Sequence, residues 1–568
     1  MTSKIDKLLK TNVNYNGAVQ ALLIAMSLVM MFFYSPLCPG GDFYVHFNRL
    51  VVLMEALKDG SFPYYMDYYM IDGYGYLIKA FYCDLLLIPF AVIGNWLSAT
   101  TAWQVMIFTL TYLCGYFTYT AVKKVTKCRY SSLLTTLLYM LCTYRVFDIY
   151  VRGAIGEVLS FTFLPLVLSG AYEIVKGNYK RWYILSIAFC LLIFSHVIST
   201  FLAFFTLLIF LCIYYKSFLE DKKRFYYLIL SGLVCIPVTA YYIFPMIEQM
   251  ISNSFYYQTN PLTEGVIGYR LNEVVAGLFN GVSLRKEQLF PKLGSVLFFI
   301  ILLRVFIREK SPVIRFADIC VVVGLVFIFM TTPLFPWNIY PFKLLSFIQF
   351  PWRLFEYTSL LFAIAGGYYL TVLLRTKKQK LIALSGIILI HILIFNSDSI
   401  HYRTFICQDG KPEININTSF LGIIGGEYLP SRLPSNNFEY NIPGVFNDYI
   451  HHRGQVVKTN SDSTKILNFA KNKGRITFHA EVVQQDKLEL PLTYYIGYRA
   501  TLDGQPIAYT QSEFGLIELP VNKSGKVEVT YMGTTIQRVS YYVSLLSIVI
   551  FVLYICFTKR KKLKTENI

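Results

Sequence analysis

Residues 182–215 read WYILSIAFCLLIFSHVISTFLAFFTLLIFLCIYY, a run of 34 residues without Asp, Glu, Lys or Arg. Basic clusters border this run at both ends. At ~1.5 Å per residue, one helix of this length would be much longer than the ~30 Å hydrocarbon layer, whereas two short helices fit. The run therefore predicts a helical hairpin in a membrane, with Ser195, His196 and Val197 at its tip.

The composition of the whole chain agrees with this prediction. Of 568 residues, 55% are hydrophobic and 15% are charged, and the mean hydropathy is +0.48. Soluble globular chains are about one quarter charged. These values exclude a disordered protein, a coiled coil, a collagen and a small disulfide scaffold, and they argue against a soluble enzyme.

Ten further apolar runs have the character of spanning helices, which brings the predicted total to about twelve. The predicted fold class is thus a polytopic α-helical membrane protein. The ten runs are residues 17–35, 101–122, 131–147, 158–175, 225–247, 295–307, 316–334, 354–374, 381–395 and 539–557.

Charged residues between the runs indicate how the chain is oriented. If residues 81–97, which Asp84 and Pro89 interrupt, form a juxtamembrane or re-entrant segment, all basic clusters fall on one side. These clusters hold 27 of the 52 Lys and Arg residues beside seven acidic residues. The positive-inside rule then predicts a plasma-membrane protein with both termini in the cytoplasm. The clusters explain the net charge of +18, so we expect no nucleic-acid partner.

A soluble domain is predicted outside the membrane, before the last span. Apolar and polar residues alternate in 475–483, 488–496, 515–521 and 526–531, and turn signals such as Asp503-Gly504 separate the runs. Alternation with such turns is typical of a small antiparallel β-sandwich. The predicted division is 1–35 (tail and first span), 36–100 (outer loop), 101–395 (helical bundle), 396–538 (β-rich domain) and 539–568 (last span and basic tail).

The first outer loop contains the strongest group of candidate residues. In Gly40-Gly-Asp-Phe-Tyr-Val-His-Phe-Asn-Arg49, Asp42, His46 and Arg49 have i, i+4, i+7 spacing and would share one face of a helix. The alternative is structural. Asp42 would then be an N-cap, and His46 and Arg49 would form the wet face of an interfacial helix.

A second group is Arg152-Gly-Ala-Ile-Gly-Glu157, an outer turn that leads into a span. Arg152 is a candidate phosphate ligand and Glu157 a second acid of the site. The alternative is that Glu157 stabilises the positive end of its helix. Arg145 and Asp148, which come just before this turn, are expected to pair with each other.

Two further candidates are single residues at the predicted outer face. His196 lies at the hairpin tip, where a histidine is more often a hydrogen-bonding residue than a catalyst. Arg353, in Gln349-Phe-Pro-Trp-Arg353, has the planar guanidinium that matches a phosphate. Its alternative is a snorkelling arginine in an aromatic belt.

Residues 62–76 contain six tyrosines. Tyrosine rings stack on sugars but also favour the membrane interface, and we prefer the interface interpretation. Asp67 and Asp72 are candidates to join Asp42 around a divalent cation. A Cys38–Cys83 disulfide is a further alternative on the same side.

No nucleotide-binding or hydrolase motif occurs: the chain has no Walker A loop, no GxSxG, no CxxC and no HExxH. With this layout, the chain resembles the GT-C class of membrane glycosyltransferases. More closely, it resembles a bacterial family of pyruvoyl-tetrahydropterin-synthase-related membrane proteins and relatives that decorate teichoic acids. The segments that carry the resemblance are Gly41-Asp42…His46…Arg49, Arg152-Gly-Ala-Ile-Gly-Glu157, Ser195-His196 and Phe350-Pro-Trp-Arg353.

The resemblance implies a role for each candidate. Asp42 would be the general base, and Arg353, with Arg152 or Arg49, would neutralise the departing lipid phosphate. The resemblance implies no definite cofactor. It leaves open a divalent cation (Mg²⁺ or Mn²⁺), since the first-loop acid is single where several GT-C branches have two. His46, Glu157 and His196 would orient groups or bind that metal.

The implied function is transfer of a sugar from a polyprenyl-phosphate donor to a cell-envelope polymer on the outer face. The expected partners are the lipid-linked sugar, the polymer acceptor and the bilayer. Two alternatives stay open at this point: a flippase or transporter of lipid-linked precursors, which needs a polar path through the bilayer, and a non-catalytic envelope-assembly protein.

Overall fold

A computed structural model describes residues 12–38, 40–62, 65–259, 270–279, 292–407, 426–433, 449–450 and 452–566. The predicted basic cluster at Lys4, Lys7 and Lys10 lies outside these residues. The chain divides into two compact units. Unit 1 comprises Met1–Phe43, Thr100–Cys235 and Gly265–Ile414, and unit 2 comprises Tyr44–Ala99, Ile236–Glu264 and Asn415–Ile568.

The described chain is mostly helical, and short helical turns link its longer helices. The longer helices are α1 Asn12–Phe33, α2 Phe43–Lys58, α3 Ile88–Trp96, α4 Ala99–Thr126, α5 Arg129–Met140, α6 Ile155–Val175, α7 Tyr183–Ser195, α8 Val197–Ile213, α9 Lys223–Val238, α10 Ala240–Ser252, α11 Leu271–Phe279, α12 Ser295–Ile301, α13 Pro312–Met330, α14 Leu354–Leu373, α15 Lys377–His401 and α16 Thr535–Glu566. The short turns are Ile71–Gly73, Ile78–Phe81, Leu85–Leu87, Thr143–Phe147, Asp148–Arg152, Tyr179–Arg181, Lys216–Glu220, Tyr256–Thr259, Leu302–Phe306, Phe342–Ile348, Pro351–Arg353 and Tyr402–Ile406.

Six helices in the described residues are long and apolar enough to cross a membrane, so the protein is a multi-pass membrane protein. The bent pair α9–α10, with an angle of 72°, gives a seventh if it is one span. The expected total of about twelve is not confirmed, because several predicted spans are broken: 131–147 contains α5 of 12 residues, and 295–307 contains α12 of seven. The six candidate spans are Tyr15–Phe33, Ala99–Thr126, Ile155–Val175, Pro312–Met330, Lys377–Thr404 and Thr535–Arg560.

The run 182–215 forms two helices that break at His196, as predicted, with α7 ending at Ser195 and α8 beginning at Val197. That the two helices run antiparallel stays a prediction. Within unit 1, α7 packs along α6, and α14 packs along α5 and α13. Gly170 permits the contact between α6 and α7 because it has no side chain. A Cβ at this position would lie 2.6 Å from the Cα of Leu185. Small residues at such crossings let membrane helices approach closely.

One disulfide, between Cys38 and Cys407, joins two segments of unit 1 with their Cα atoms 5.2 Å apart. The alternative Cys38–Cys83 bridge is therefore wrong, and Cys83 is a buried free thiol in unit 2. Sequence spacing could not reveal the true partner, because Cys407 is 369 residues away.

The predicted β-sandwich is confirmed within unit 2. Its two antiparallel sheets have strand orders β1-β4-β8-β7 and β2-β3-β9-β5-β6, and apolar residues from both sheets form one core. The turn between β5 and β6 is Asp503-Gly504, both with positive φ, as the sequence signal indicated. The strands are β1 Lys458–Thr459, β2 Lys465–Asn472, β3 Arg475–Glu481, β4 Asp486–Thr493, β5 Tyr498–Leu502, β6 Gln505–Ile507, β7 Thr510–Gln511, β8 Leu516–Val521 and β9 Gly525–Tyr531.

Part of the first loop belongs to this β-rich unit. Met66, Leu77 and Phe81 pack in the sandwich core. Tyr74 and Tyr76 are buried in an adjoining apolar cluster with residues such as Leu429, Ile450 and Leu516. The interface interpretation is thus wrong for these two tyrosines, whose burial the sequence pattern did not reveal. Tyr64 lies outside the described residues.

Candidate functional site

The loop that carries Asp42 interlocks with the turn that carries Arg152. The backbone N–H of Asp42 donates a hydrogen bond to the carbonyl of Arg152 at 2.5 Å. Gly41 (φ +45°) and Gly153 (φ +68°) adopt the left-handed conformation that favours glycine. A Cβ at Gly41 would lie 2.6 Å from the Arg152 carbonyl oxygen, and one at Gly153 would lie 2.7 Å from the Cα of Phe43. The glycines of both motifs therefore permit the close approach of the two segments.

Three acidic side chains surround the guanidinium of Arg152. Its Nη1 donates to Asp148 Oδ1 at 2.8 Å and to Glu157 Oε1 at 3.0 Å, and its Nη2 lies 3.6 Å from Asp42 Oδ2. Residues 148–152 form one π-helical turn, which places Asp148 and Arg152 on the same side. Arg152 is thus the centre of a charged network.

The expected pair of Arg145 and Asp148 is wrong. Arg145 is buried and donates instead to Thr111 Oγ1 and to the Met140 carbonyl, at 3.3 Å each. Asp148 has a cation both three residues before it and four residues after it, and linear spacing permits either pair. The π-helical turn decides in favour of Arg152.

Glu157 joins the two predicted phosphate-binding arginines. Its Oε1 accepts hydrogen bonds from Arg152 and from Arg353 Nε, each at 3.0 Å, and its Oε2 accepts one from the Tyr144 hydroxyl at 2.8 Å. Arg353 also donates to the Ile348 carbonyl at 2.6 Å. The snorkelling interpretation of Arg353 is therefore wrong, because its guanidinium is buried and held by protein acceptors.

Exposure differs sharply within the network. The exposed fraction of the side chain is 46% for Asp42, 15% for Arg152, 8% for Arg353 and 2% for Glu157. Asp42 is the member that solvent or a ligand can reach, and the other three form the floor beneath it.

Burial and charge set the protonation of the acids. Partial desolvation by the surrounding protein raises the pKa of Asp42, whereas Arg152 lowers it, Glu157 raises it and Arg353 lowers it. Burial, together with Glu157, raises the pKa of Asp148 well above its ordinary value, although Arg152 lowers it.

His196 packs beside the network and caps α8. Its Nδ1 accepts the backbone N–H of Ser199 at 3.3 Å and lies 2.9 Å from Ser199 Oγ. Ser199 Oγ in turn donates to Glu356 Oε2 at 2.9 Å. A Cβ at Gly156 would lie 3.2 Å from His196 Cδ2, so this glycine lets the imidazole lie against the first turn of α6.

Ser199 and Glu356 were not among the predicted site residues. A signal for Ser199 was present, because it follows His196 by three residues at the start of a helix, where such pairs meet. Glu356 is an acid in the first turn of the predicted span 354–374 and is fully buried. Its contact with Ser199 joins positions 157 residues apart, which a single sequence does not reveal.

His46 and Arg49 belong to a different network, inside unit 2. His46 Nδ1 lies 2.9 Å from Arg49 Nη1, and Arg49 Nη2 donates to Asp84 Oδ1 at 2.7 Å and to the Cys83 carbonyl at 3.0 Å. Lys79 also binds Asp84. All these side chains are buried, so the wet-face alternative is wrong. The predicted pairing of His46 and Arg49 on one helical face is present, and Asp42 precedes that helix.

A divalent cation does not fit the Asp42 network as it is arranged. Its carboxylates converge on the Arg152 guanidinium, and both oxygens of Glu157 already accept hydrogen bonds. In the part of the chain that the structure describes, no group of three or more His, Cys, Asp and Glu side chains has the spacing of a metal site. Asp67, the proposed partner of Asp42, is buried within unit 2 and accepts the Tyr69 backbone N–H at 2.9 Å.

Comparisons with known proteins do not assign a family. No family model matches the chain. An uncharacterized protein of Lactococcus lactis subsp. cremoris (strain MG1363) is 24% identical over 615 aligned residues, which cover 97% of each chain. Among solved structures, the arabinofuranosyltransferase AftD from Mycobacteria is similar, with 13% identity and a TM-score of 0.42. That match covers 68% of this chain but only 27% of the AftD chain, and a likeness of this size assigns no activity.

Proposed function

We propose that this protein is a membrane glycosyltransferase. It transfers a sugar from a polyprenyl-phosphate donor to a hydroxyl group of a cell-envelope polymer. The observation that carries the proposal is the network in unit 1, where the half-exposed Asp42 lies beside Arg152 and Glu157 fixes both Arg152 and Arg353.

The two arginines suit a phosphate leaving group. When the bond between the anomeric carbon and the phosphate oxygen breaks, the lipid phosphate gains negative charge. Guanidinium groups that are already oriented stabilise such charge most strongly in a site with little water. Glu157 supplies this orientation for both arginines, so we assign it a positioning role.

Asp42 suits the general base. The acceptor hydroxyl attacks the anomeric carbon, and its proton passes to the carboxylate of Asp42. A general base works best when its pKa lies near the working pH. Partial desolvation raises the pKa of Asp42 towards that range. Asp42 becomes neutral as the phosphate leaves. Its carboxylate then no longer competes with the new phosphate anion for the two arginines.

The positions of these residues suit a donor that lies in the bilayer. Glu157 is in the first turn of α6, which contains a candidate span, and Arg353 comes directly before α14. We propose that this end of the helices faces the extracytoplasmic side of the plasma membrane, with both termini in the cytoplasm. There a lipid carrier would present its sugar at the level of the network.

The test uses cells of the source organism that lack the gene and carry the wild-type or the Asp42→Asn variant. We expect wild-type cells to carry a sugar on an envelope polymer that the Asp42→Asn cells lack, at equal protein level. The measurement is compositional and mass-spectrometric analysis of purified envelope polymers. Asp462→Asn, an exposed acid of the β-rich unit, is the matched control and should retain the sugar.

Two results would contradict the proposal. If deletion of the gene leaves every envelope polymer unchanged, the protein is not the transferase. If Asp42→Asn restores the full sugar content, Asp42 is not the base. Accumulation of lipid-linked sugar only on the cytoplasmic leaflet of the deletion strain would instead indicate a transporter.

A further inference from the structure

A cleft of about 460 Å³ lies wholly within unit 2. Its walls come from the second half of α2, from residues 65–69, from Lys473 and from residues 531–542, which run from the end of β9 into α16. The aromatic rings that line it come from residues 65–69 and 531–542. The aromatic lining residues are Tyr65, Tyr68, Tyr69, Tyr531, Tyr541 and Tyr542.

The rings in the floor of the cleft are held in place. A Cβ at Gly474 would collide with the ring of Tyr68, and a Cβ at Gly497 (φ +113°) would lie 2.9 Å from the ring of Tyr531. The Tyr531 hydroxyl is hydrogen-bonded to Gln537 at 3.1 Å. Because these rings are fixed before a ligand arrives, stacking on them costs little conformational entropy.

Two other rings are accessible at the mouth of the cleft. Tyr69 is 51% exposed, and Tyr542, near the start of the candidate span Thr535–Arg560, is 69% exposed to solvent or lipid. The ring of Tyr542 packs edge-on against Tyr541, with centroids 5.6 Å apart. Lys473 lies over the ring of Tyr69, 5.8 Å from its centroid. The mouth thus presents flat apolar faces beside charged groups.

Polar side chains complete the lining. Glu55 and Asp59 provide carboxylates, and Lys473 and Arg538 provide cations. Lys473 and Asp59 form an ion pair at 2.6 Å on the surface, where such pairs are weak and exchange easily with other partners. A sugar has apolar faces and hydroxyl groups at its edges. Carboxylates and cations beside aromatic rings match this pattern.

We infer that this cleft binds a saccharide. Rings provide the stacking faces, and the charged groups bind hydroxyls around them. A cavity of about 370 Å³ in unit 1 provides the contrast. Leucine and valine dominate its wall, which also contains three tyrosines, and Lys176 is the one charged group among its described lining residues. The cleft in unit 2 differs from this cavity in its charged groups, because Glu55, Asp59, Lys473 and Arg538 lie beside its rings and can bind the hydroxyls of a sugar.

The occupant we assign is a segment of the envelope polymer. This assignment rests on the proposed function, whereas saccharide binding by the cleft does not.

The test measures binding of defined oligosaccharides to the full-length protein in nanodiscs. The probes are an array of hexose, pentose and N-acetylhexosamine oligomers, followed by saturation-transfer NMR on each hit. We expect at least one oligomer to bind the wild type. Tyr69→Ala and Tyr542→Ala should each weaken binding about tenfold, and Tyr69→Phe should retain it, because the ring supplies the contact. Tyr226→Ala, an exposed tyrosine of α9, is the matched control.

Each outcome decides the inference. Failure of every oligomer to bind the wild type at millimolar concentration overturns it. So does binding that is unchanged in both alanine variants. If the alanine variants only lower the melting temperature in the bilayer, the rings are membrane anchors and the inference is also wrong. Asp42→Asn separates this result from the proposed function, since it should abolish transfer and retain binding.

Discussion

Two buried clusters of charge begin in the same ten residues of sequence and differ in what their side chains can do. The cluster of unit 2 encloses Arg49 completely, with Asp84, His46 and the Cys83 carbonyl around its guanidinium. The cluster of unit 1 leaves Asp42 half-exposed above Arg152. A network that is fully satisfied stabilises a fold, whereas a network with one accessible acid is available to a ligand.

The largest expected effect is on stability, in the enclosed cluster. Asp84→Asn removes the carboxylate that binds both Arg49 and Lys79, and it leaves two buried cations without their counter-ion. We expect a loss of about 3–5 kcal/mol in the free energy of unfolding. Thermal unfolding in detergent measures it. Asp42→Asn is the comparison variant and should change stability by less than about 1 kcal/mol. Equal effects in the two variants would remove the distinction between the clusters.

The next effect is on the rate, in the open cluster. Arg353→Gln removes a guanidinium that we propose stabilises the leaving phosphate, so we expect transfer to fall about 10²–10³-fold. Arg353→Lys keeps the positive charge but cannot bind the phosphate through two N–H groups at once. We expect its rate to lie between those of the wild type and Arg353→Gln. Initial rates of sugar transfer in membranes, normalised to the folded protein, measure this. A rate for Arg353→Gln within about threefold of the wild type would contradict the assigned role.

A smaller effect is expected behind His196. Ser199→Ala removes the hydroxyl between His196 and Glu356, so the imidazole loses one of its two contacts at Nδ1. We expect the rate of transfer to fall about tenfold, which is the free-energy equivalent of one hydrogen bond. Ser199→Thr keeps a hydroxyl and should restore most of the rate. If both variants have the same rate and the same stability, Ser199 does not position His196.

The smallest effect is a shift in the pH profile. Since partial desolvation raises the pKa of Asp42, the base loses activity as the pH falls through a value above that of an ordinary aspartate. Arg152 lowers this pKa, so Arg152→Gln should move the acidic limb of kcat/KM to higher pH, and Arg152→Lys should leave it nearly in place. An acidic limb at the same pH in all three proteins would show that Asp42 is not the group that titrates.

The sequence predicted the parts of this molecule that depend on local pattern. Hydropathy and length identified the two helices that break at His196, and alternation identified strands β3, β4, β8 and β9. Local spacing also indicated that His46 and Arg49 share a face. Pattern did not reveal what covers that face, because Asp84 comes from a segment 35 residues away.

Within the site, the structure joins five of the seven predicted residues: Asp42, Arg152, Glu157, His196 and Arg353. Their catalytic roles stay predictions. Ser199 and Glu356 were missed because their contact joins two distant helices. The choice between Arg145 and Arg152 as partner of Asp148 depended on a π-helical turn, for which residues 148–152 give no sequence signal.

The position of the disulfide also determines when, during synthesis, the site can be completed. Cys38 is four residues before Asp42, and its partner Cys407 is made only after another 369 residues have left the ribosome. During synthesis, the loop that holds Asp42 is therefore without its covalent tether until the bundle helices of unit 1 have been translated. Truncation anywhere before Cys407 would leave that tether unmade, whichever helices had already been inserted.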